Sequence, residues 1–353
     1  MKKKVMVAMS GGVDSSVAAC LLLRQGYEVA GATFRLWGDA ETAIRDAASV
    51  CHILGIPHYV MDYAALFEES VVRPFVTEYL AGKTPNPCIF CNRSIKFGAF
   101  SQKVKELGYE RMATGHYARC GYNSKTGRWE LYRAVHPQKD QSYVLYNLTQ
   151  EQLAMLELPL GGYTKQEIRA IAEENGLIVA NKPDSQDICF VPDGDYDAFL
   201  RSYTGSMPPC GDFIDGQGRV VGRHCGITHY TVGQRKGLGV SLGKPAFVRG
   251  IDAATNRVLL TTEEQDLFTS AVWASAVNWI GIPALTEPLA VQAKIRYAHP
   301  LSDAILTPTE RLDIVRIEFK EPQRAPAPGQ AAVFYRGDAV LGGGTIFNDQ
   351  EGH

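Results

Sequence analysis

The chain has 353 residues, too long for one ordinary core and short for four, so two or three domains are expected. An apolar share of 45% excludes a disordered or collagen-like chain, and a net charge of -2 leaves any RNA site to a local basic surface. Eight cysteines without secretory features argue for thiol chemistry or metal binding in some of them, and against a disulfide framework. In chain order, Val5 to Met9 reads as a buried strand too brief for a signal segment, and no apolar stretch is long enough to span a membrane. A soluble, cytoplasmic protein with no membrane partner is expected. Ser15 to Gln25 reads as a helix stopped by Gly26, Glu28 to Arg35 as a strand, Thr42 to Leu54 as a second helix, and His58 to Met61 as a third strand. Two crossovers of this length imply an α/β fold with a doubly wound parallel sheet. Cys20 and Cys51 fall on apolar helical faces, where free cysteine packs as a small core residue.

Further along, Arg111 to Thr114 reads as a strand, Tyr117 to Val135 as a hairpin turning at residues 123–127, and Thr164 to Asn175 as a helix opened by a Thr164/Glu167 capping box. After Tyr203 the texture changes to glycine turns and short β-rich runs, with a hairpin turn at Asp215-Gly216-Gln217-Gly218. Val272 to Phe347 is β-rich with prolines between strands, as in a small barrel. The expected organisation is an α/β domain over 1–203, a central β-rich domain over 204–268 and a C-terminal β-barrel over 269–353.

Ser10-Gly11-Gly12-Val13-Asp14-Ser15-Ser16 lies between the first strand and the first helix, where open α/β sheets bind ligands. Its glycines allow positive φ, its serines can donate hydroxyls while capping the helix, and backbone N–H groups there would face a pyrophosphate. Asp14 suits Mg²⁺ held against the phosphates. No Gly-Lys-Ser/Thr follows and the G-x-G-x-x-G spacing is absent, so the loop is neither a Walker A nor a dinucleotide fingerprint. The stretch resembles the Ser-Gly-Gly-x-Asp-Ser loop of the N-type ATP pyrophosphatases, which implies ATP as substrate and pyrophosphate release.

In Thr84-Pro85-Asn86-Pro87-Cys88-Ile89-Phe90-Cys91-Asn92-Arg93, two prolines stiffen a loop ending at Cys91, before a helix expected to start near Asn92. A thiol at a helix N-terminus beside Arg93 should have a lowered pKa. Far downstream, Asp184-Ser185-Gln186-Asp187-Ile188-Cys189-Phe190 presents another cysteine in a polar turn.

Together with Gly115-His116-Tyr117, Lys139-Asp140-Gln141-Ser142-Tyr143, Thr231 to Gly239 and Pro328-Gly329-Gln330, these segments stand in the order found in bacterial tRNA-specific 2-thiouridylases, a family this chain resembles over nearly its whole length. The resemblance implies 2-thiolation of a tRNA wobble uridine whose C2 oxygen is first adenylated by ATP. It implies a persulfide on Cys189, supplied by a sulfur-relay protein or cysteine desulfurase, and Cys91 as partner nucleophile, the two ending as a disulfide. It places Ala8, Met9, Ser10, Gly11, Gly12, Val13, Asp14, Ser15, Phe34 and Gly115 at ATP, and Asn86, Pro87 and Cys88 at the target base. Lys139, Asp140, Gln141, Arg296 and Tyr297 fall at tRNA contacts, and His116 and Gln330 at further tRNA-facing positions. A monomer is expected.

Each of these residues also has a plainer reading. Lys139 with Asp140 reads as a solvated pair, His116 as a hydrogen-bonded structural histidine, and Arg296 with Tyr297 as strand residues. Familiar members of the family carry aspartate where this chain has Cys88. The resulting Cys-x-x-Cys, with Cys189, makes a three-thiolate set able to hold a 4Fe–4S cluster with one iron open, while zinc or redox chemistry also suits the motif. Cys210 and Cys225 receive no assignment. Two rival functions remain at this level: another adenylating synthetase of amidotransferase type, and a nucleotide-sensing module without chemistry.

Overall fold

The computed structural model describes residues 2–347 apart from 181, 183–187, 192, 193 and 207. Short apolar runs form β1 (Lys4–Ala8), β2 (Glu28–Arg35) and β3 (His58–Asp62), separated by α1 (Val13–Arg24) and α2 (Glu41–Leu54). Strand β4 (Arg111–Thr114) is followed by the hairpin β5 (Ala118–Asn123) and β6 (Arg128–Arg133), and later by the two-residue β7 (Leu156–Glu157). The first sheet runs β3-β2-β1-β4-β7 with every pair parallel, as the alternating pattern requires. The strand order reverses at β1, between β2 and β4, so the crevice beyond the C-terminal ends of β1 and β4 is the switch point.

Helix α1 is buried along nearly its whole length because it lies in the apolar core between the sheet and the helix Lys165–Glu174. Val17, Leu21 and Leu22 fill that layer, and a fully buried side chain of this size stabilises by about 1.5–3 kcal/mol. Thr164 caps the second helix: its hydroxyl accepts from Glu167 N at 3.2 Å while the Glu167 carboxylate accepts from Thr164 N at 2.7 Å. Cys20 and Cys51 are core residues, and burial pushes the Cys51 thiol up to about 11.

The central unit contains β8 (Gly211–Ile214), β9 (Val220–His224), β10 (Phe247–Asp252) and β11 (Arg257–Thr261), ordered β10-β11-β8-β9. Its expected turn forms around Asp215, whose carboxylate accepts from Gln217 N and Arg219 N at 2.9 Å each. The last unit comprises β12 (Phe268–Trp279), β13 (Leu289–Lys294), β14 (Ser302–Pro308), β15 (Val315–Arg324), β16 (Ala331–Arg336) and β17 (Ala339–Phe347). These six strands run β12-β15-β14-β13-β16-β17 and close into a barrel where β12 pairs with β17.

The hairpin β5–β6 belongs to this second sheet although it lies early in the chain. Leu131 pairs with Val340 and Tyr132 with Ala339 on the outside of the barrel. One apolar core accordingly mixes Met6, Tyr143 and Leu145 with Ile280, Val333 and Val340.

Candidate active site

The loop after β1 turns sharply at Gly11, which has φ +69°, and a Cβ there would lie 2.7 Å from the Ala43 carbonyl oxygen of α2. Positive φ and the close helix both demand glycine. The serines do not cap α1, contrary to expectation. Gly12 is the N-cap without a side-chain bond, and the hydroxyls of Ser15 and Ser16 turn back to donate to the Gly12 carbonyl at 3.2 and 2.9 Å. The first-turn N–H groups of this 12-residue helix therefore have no side-chain cap, which leaves them suited to an anion. Gly115, just past β4, touches the same turn: a Cβ there would lie 2.7 Å from Ser15 N. Ala8 ends β1, Met9 is buried and donates from its N to Ala32 O at 2.7 Å, and Val13 is buried at the start of α1. Ser10 N donates to Ser15 Oγ at 3.2 Å. Phe34, near the end of β2, stands edge-on to Phe100 and Tyr63 at ring separations of 5.0 and 5.5 Å.

Two lysines that sequence reasoning missed converge on this loop. Lys165 Nζ lies 2.7 Å from Asp14 Oδ1, and Lys182 Nζ lies 2.8 Å from Asp46 Oδ2 and 3.1 Å from the Gly11 carbonyl. The hydroxyl of Tyr117, also missed, donates to Asp14 Oδ1 at 2.7 Å. Lys165 left one trace in the sequence: a cation directly after a capping threonine opposes the helix dipole and asks for a partner. Asp14 is thus one carboxylate among cations at an anion-suited turn, which fits a Mg²⁺ shared with phosphates.

The cysteine segment departs from expectation. The helix starts at Pro87, with Asn86 as N-cap accepting from Cys88 N at 3.1 Å, so Cys91 ends this first segment. A π-helical stretch, Asn92–Ala99, follows directly. Cys91 is buried, and burial pushes its thiol up to about 12; Lys96, not Arg93, is the cation that opposes the shift. Cys88 is exposed. The residues before Ile188 in the polar turn, Asp184 to Asp187, lie outside the described residues. Cys189 itself is exposed, yet desolvation by its neighbours raises its thiol, with Lys96 opposing. Phe190 fixes it there by packing on Phe67, Phe75 and Phe199 at ring separations of 5.6, 5.3 and 5.2 Å. Cys88, Cys91 and Cys189 stand within electrostatic reach of one another, with Lys96 acting on Cys91 and Cys189. Among the described residues no group of three His, Cys, Asp or Glu side chains is disposed to hold a metal ion.

The residues expected at tRNA divide into two groups. Asp140 is buried; its carboxylate accepts from Ala134 N at 2.9 Å, Ser142 N at 3.2 Å and Ser142 Oγ at 2.9 Å, so it is no solvated partner of Lys139. Gln141 Oε1 accepts from Tyr117 N at 2.9 Å. Arg296 donates to Val232 O at 3.0 Å and Ala325 O at 2.6 Å, bridging the central unit and the barrel. Gln330 Nε2 donates to Thr84 O at 2.6 Å. These four direct their side chains inward. His116 bonds Thr114 Oγ1 through Nδ1 at 2.8 Å, and burial, aided by Lys96, holds its pKa well below 6.5. Tyr297 is 43% exposed, enough to offer a ring to a base; its hydroxyl donates to Asp140 O at 3.3 Å and Lys294 sits over the ring at 5.5 Å. Cys88 lies within electrostatic reach of the Tyr297 phenol. Lys139 closes a short 3-10 turn, Pro137–Lys139, just before Asp140.

A parallel sheet with an uncapped glycine–serine turn at its switch point places the chain in the class of HUP-type α/β proteins, and residues 3–193 match the family described as the tRNA methyl transferase HUP domain. Residues 197–262 match the corresponding PRC-barrel domain and residues 269–346 the aminomethyltransferase β-barrel domain. A protein of Acetivibrio thermocellus named tRNA-specific 2-thiouridylase MnmA is 50% identical over 98% of this chain and 99% of its own length. Proteins of the same name from Carboxydothermus hydrogenoformans and Heliobacterium modesticaldum are 50% and 51% identical over 98% of this chain, covering 98% and 93% of their own lengths. The chain belongs to the tRNA-specific 2-thiouridylase family. No helix among the described residues is long and apolar enough to cross a membrane.

Proposed function

We propose that the chain is an ATP-dependent tRNA-uridine 2-sulfurtransferase. The observation that carries this reading is that Cys189 lies within electrostatic reach of Cys88 and Cys91, about a hundred positions earlier, with Lys96 acting on both Cys91 and Cys189. The first turn of α1 would bind the pyrophosphate of ATP, with Lys165 and Lys182 beside it, Phe34 and Gly115 shaping the pocket, and Asp14 holding Mg²⁺. Bound Mg²⁺ would supply charge neutralisation at the phosphates. The uridine C2 oxygen attacks the α-phosphorus and pyrophosphate leaves.

The terminal sulfur of a Cys189 persulfide, delivered by a sulfur-relay protein or cysteine desulfurase, then attacks C2 and displaces AMP. Cys91, as thiolate, attacks Cys189 Sγ, leaving sulfur on the base and a Cys91–Cys189 disulfide that a thiol reductant must reopen. The geometry supports this order: the accessible thiol receives sulfur from outside, while the buried, protonated one is kept for the internal step. No step of this route needs an iron–sulfur cluster. Asn86, Pro87 and Cys88 would meet the target base, and His116, Lys139 and Tyr297 the surrounding RNA. Asp140, Gln141 and Arg296 would act from inside by fixing that surface. The work divides among units 1–203, 204–268 and 269–353, acting as a monomer in the cytoplasm.

An amidotransferase-type synthetase gives no reason for the cysteine set, and a nucleotide sensor would release no pyrophosphate in response to tRNA. The test is mass spectrometry of tRNA nucleosides after incubation with ATP and a persulfide source, cysteine with a cysteine desulfurase. An oxygen-to-sulfur mass gain that disappears in Cys189→Ser is expected. Unmodified uridine with the wild-type protein would overturn the reading.

A further inference from the structure

The five residues that lead into the cysteine helix, Gly82 to Asn86, are gripped from both β-rich units. On one side Gly82 (φ +72°) faces the central unit so closely that a Cβ would lie 2.6 Å from Ile251 Cγ2. On the other, both backbone groups of Thr84 are taken by one turn of the C-terminal barrel: Thr84 N donates to Pro328 O at 2.8 Å, and Thr84 O accepts from Gln330 Nε2 at 2.6 Å. Between these two bonds Gly329 (φ +88°) presses flat on the segment, where a Cβ would stand 3.1 Å from Thr84 N and Lys83 Cβ. The turn is itself fixed to β17, since Gly329 N donates to Ile346 O at 2.9 Å and Ile346 N donates to Gln330 O at 2.8 Å.

The grip passes directly to the chemistry. Two residues after Thr84, Asn86 caps Cys88 N, and the single helical turn that follows ends at Cys91. A loop with two prolines transmits displacement stiffly, because each ring fixes its own φ. A side chain placed only to meet RNA would have no cause to bond a carbonyl inside this loop.

We propose that Gln330 is a positioning residue: with Pro328 and Ile251 it clamps the 82–86 segment, so that the two β units set where Cys88 and Cys91 stand relative to the base. This rests on the reading of Cys91 and Cys189 as the sulfur-transfer pair. The substitutions are Gln330→Met, which keeps length and removes the donor, and Gln330→Ala. The measurements are backbone hydrogen exchange, tRNA affinity, and the thiolation rate at saturating tRNA. Loss of one hydrogen bond of ordinary strength predicts exchange at Thr84, Cys88 and Ile89 faster by about 10-fold, with β1 and α1 unchanged. The thiolation kcat should fall by about 10-fold, with the tRNA Kd within about twofold of wild type, as expected of a group acting through another. Unchanged exchange with weakened tRNA binding would make Gln330 an RNA contact and overturn the proposal. Faster exchange with an undiminished kcat would overturn it equally. A wild-type chain that thiolates no tRNA fails the functional reading, and the exchange comparison then decides the clamp by itself.

Discussion

Asp14 illustrates how one side chain carries several duties. Its Oδ1 accepts from both Tyr117 and Lys165 while the carboxylate faces the turn proposed for pyrophosphate. Asp14→Asn keeps the shape but gives up the charge that holds Lys165 and Mg²⁺. Charge-assisted bonds contribute about 1.5–3 kcal/mol, so tRNA-dependent pyrophosphate release should drop roughly 10- to 100-fold. A wild-type rate in that variant would remove Asp14 from the chemistry. Cys91 makes a second residue-level prediction. With its thiol pushed up to about 12, the thiolate fraction grows tenfold per pH unit across the neutral and mildly alkaline range. In Cys88→Ser/Cys189→Ser, alkylation of Cys91 should climb log-linearly from about pH 7 to about pH 10. A plateau near neutrality would mean a thiolate stabilised by its surroundings. The same raised pKa means that the stability contributed by the buried thiol is complete below about 9 and is lost as pH rises towards about 12.

At the scale of elements, the stretch Asn92–Ala99 decides which side chains share the cysteine face. Its i→i+5 bonding, seen where Phe100 N reaches Ile95 O, widens the turn and carries Lys96, five residues on, back towards Cys91. Gly98 permits this, since a Cβ there would stand 2.8 Å from the Arg93 carbonyl oxygen. Gly98→Ala is expected to cost about 1–3 kcal/mol in a denaturant melt, as overpacking does, and to slow thiolation by shifting Lys96. Unaltered stability would show that the wide turn is not held by that glycine. Apolar periodicity indicates a helix here but cannot separate α from π geometry, so the N-terminus expected near Asn92 and the low thiol pKa both failed. Where local chemistry suffices, the sequence is legible: β2 and β4 have their expected bounds, and the Thr164 capping box forms. The inward roles of Asp140, Gln141 and Arg296 were illegible because their partners, such as Val232 and Ala325 for Arg296, are set only by the tertiary fold.

For the whole molecule, Arg296 shows why a basic residue near a nucleic-acid surface need not touch the nucleic acid. It joins the central unit to the barrel through two carbonyls, and burial, reinforced by the nearby Arg324, lowers its pKa. Arg296→Ala should therefore lower stability by about 1.5–3 kcal/mol while leaving the salt dependence of tRNA binding nearly unchanged. A flatter salt slope at unchanged stability would restore it as a phosphate contact. The hairpin β5–β6 ties the molecule together in a further way, because Leu131 pairs with Val340 of the barrel and shares a core with Val333 and Ile280. A fragment of residues 1–203 should be digested rapidly by protease and regain protection when 269–353 is supplied; a resistant fragment would show that the hairpin needs no cover. Synthesis makes this dependence a matter of time. Roughly 200 residues separate Leu131 from Val340, so at ~5–20 residues per second the nascent hairpin waits on the order of 10–40 s for its barrel partners. A ribosome stalled in that interval holds a chain whose glycine–serine loop is already made but whose cysteine segment still lacks the proposed clamp.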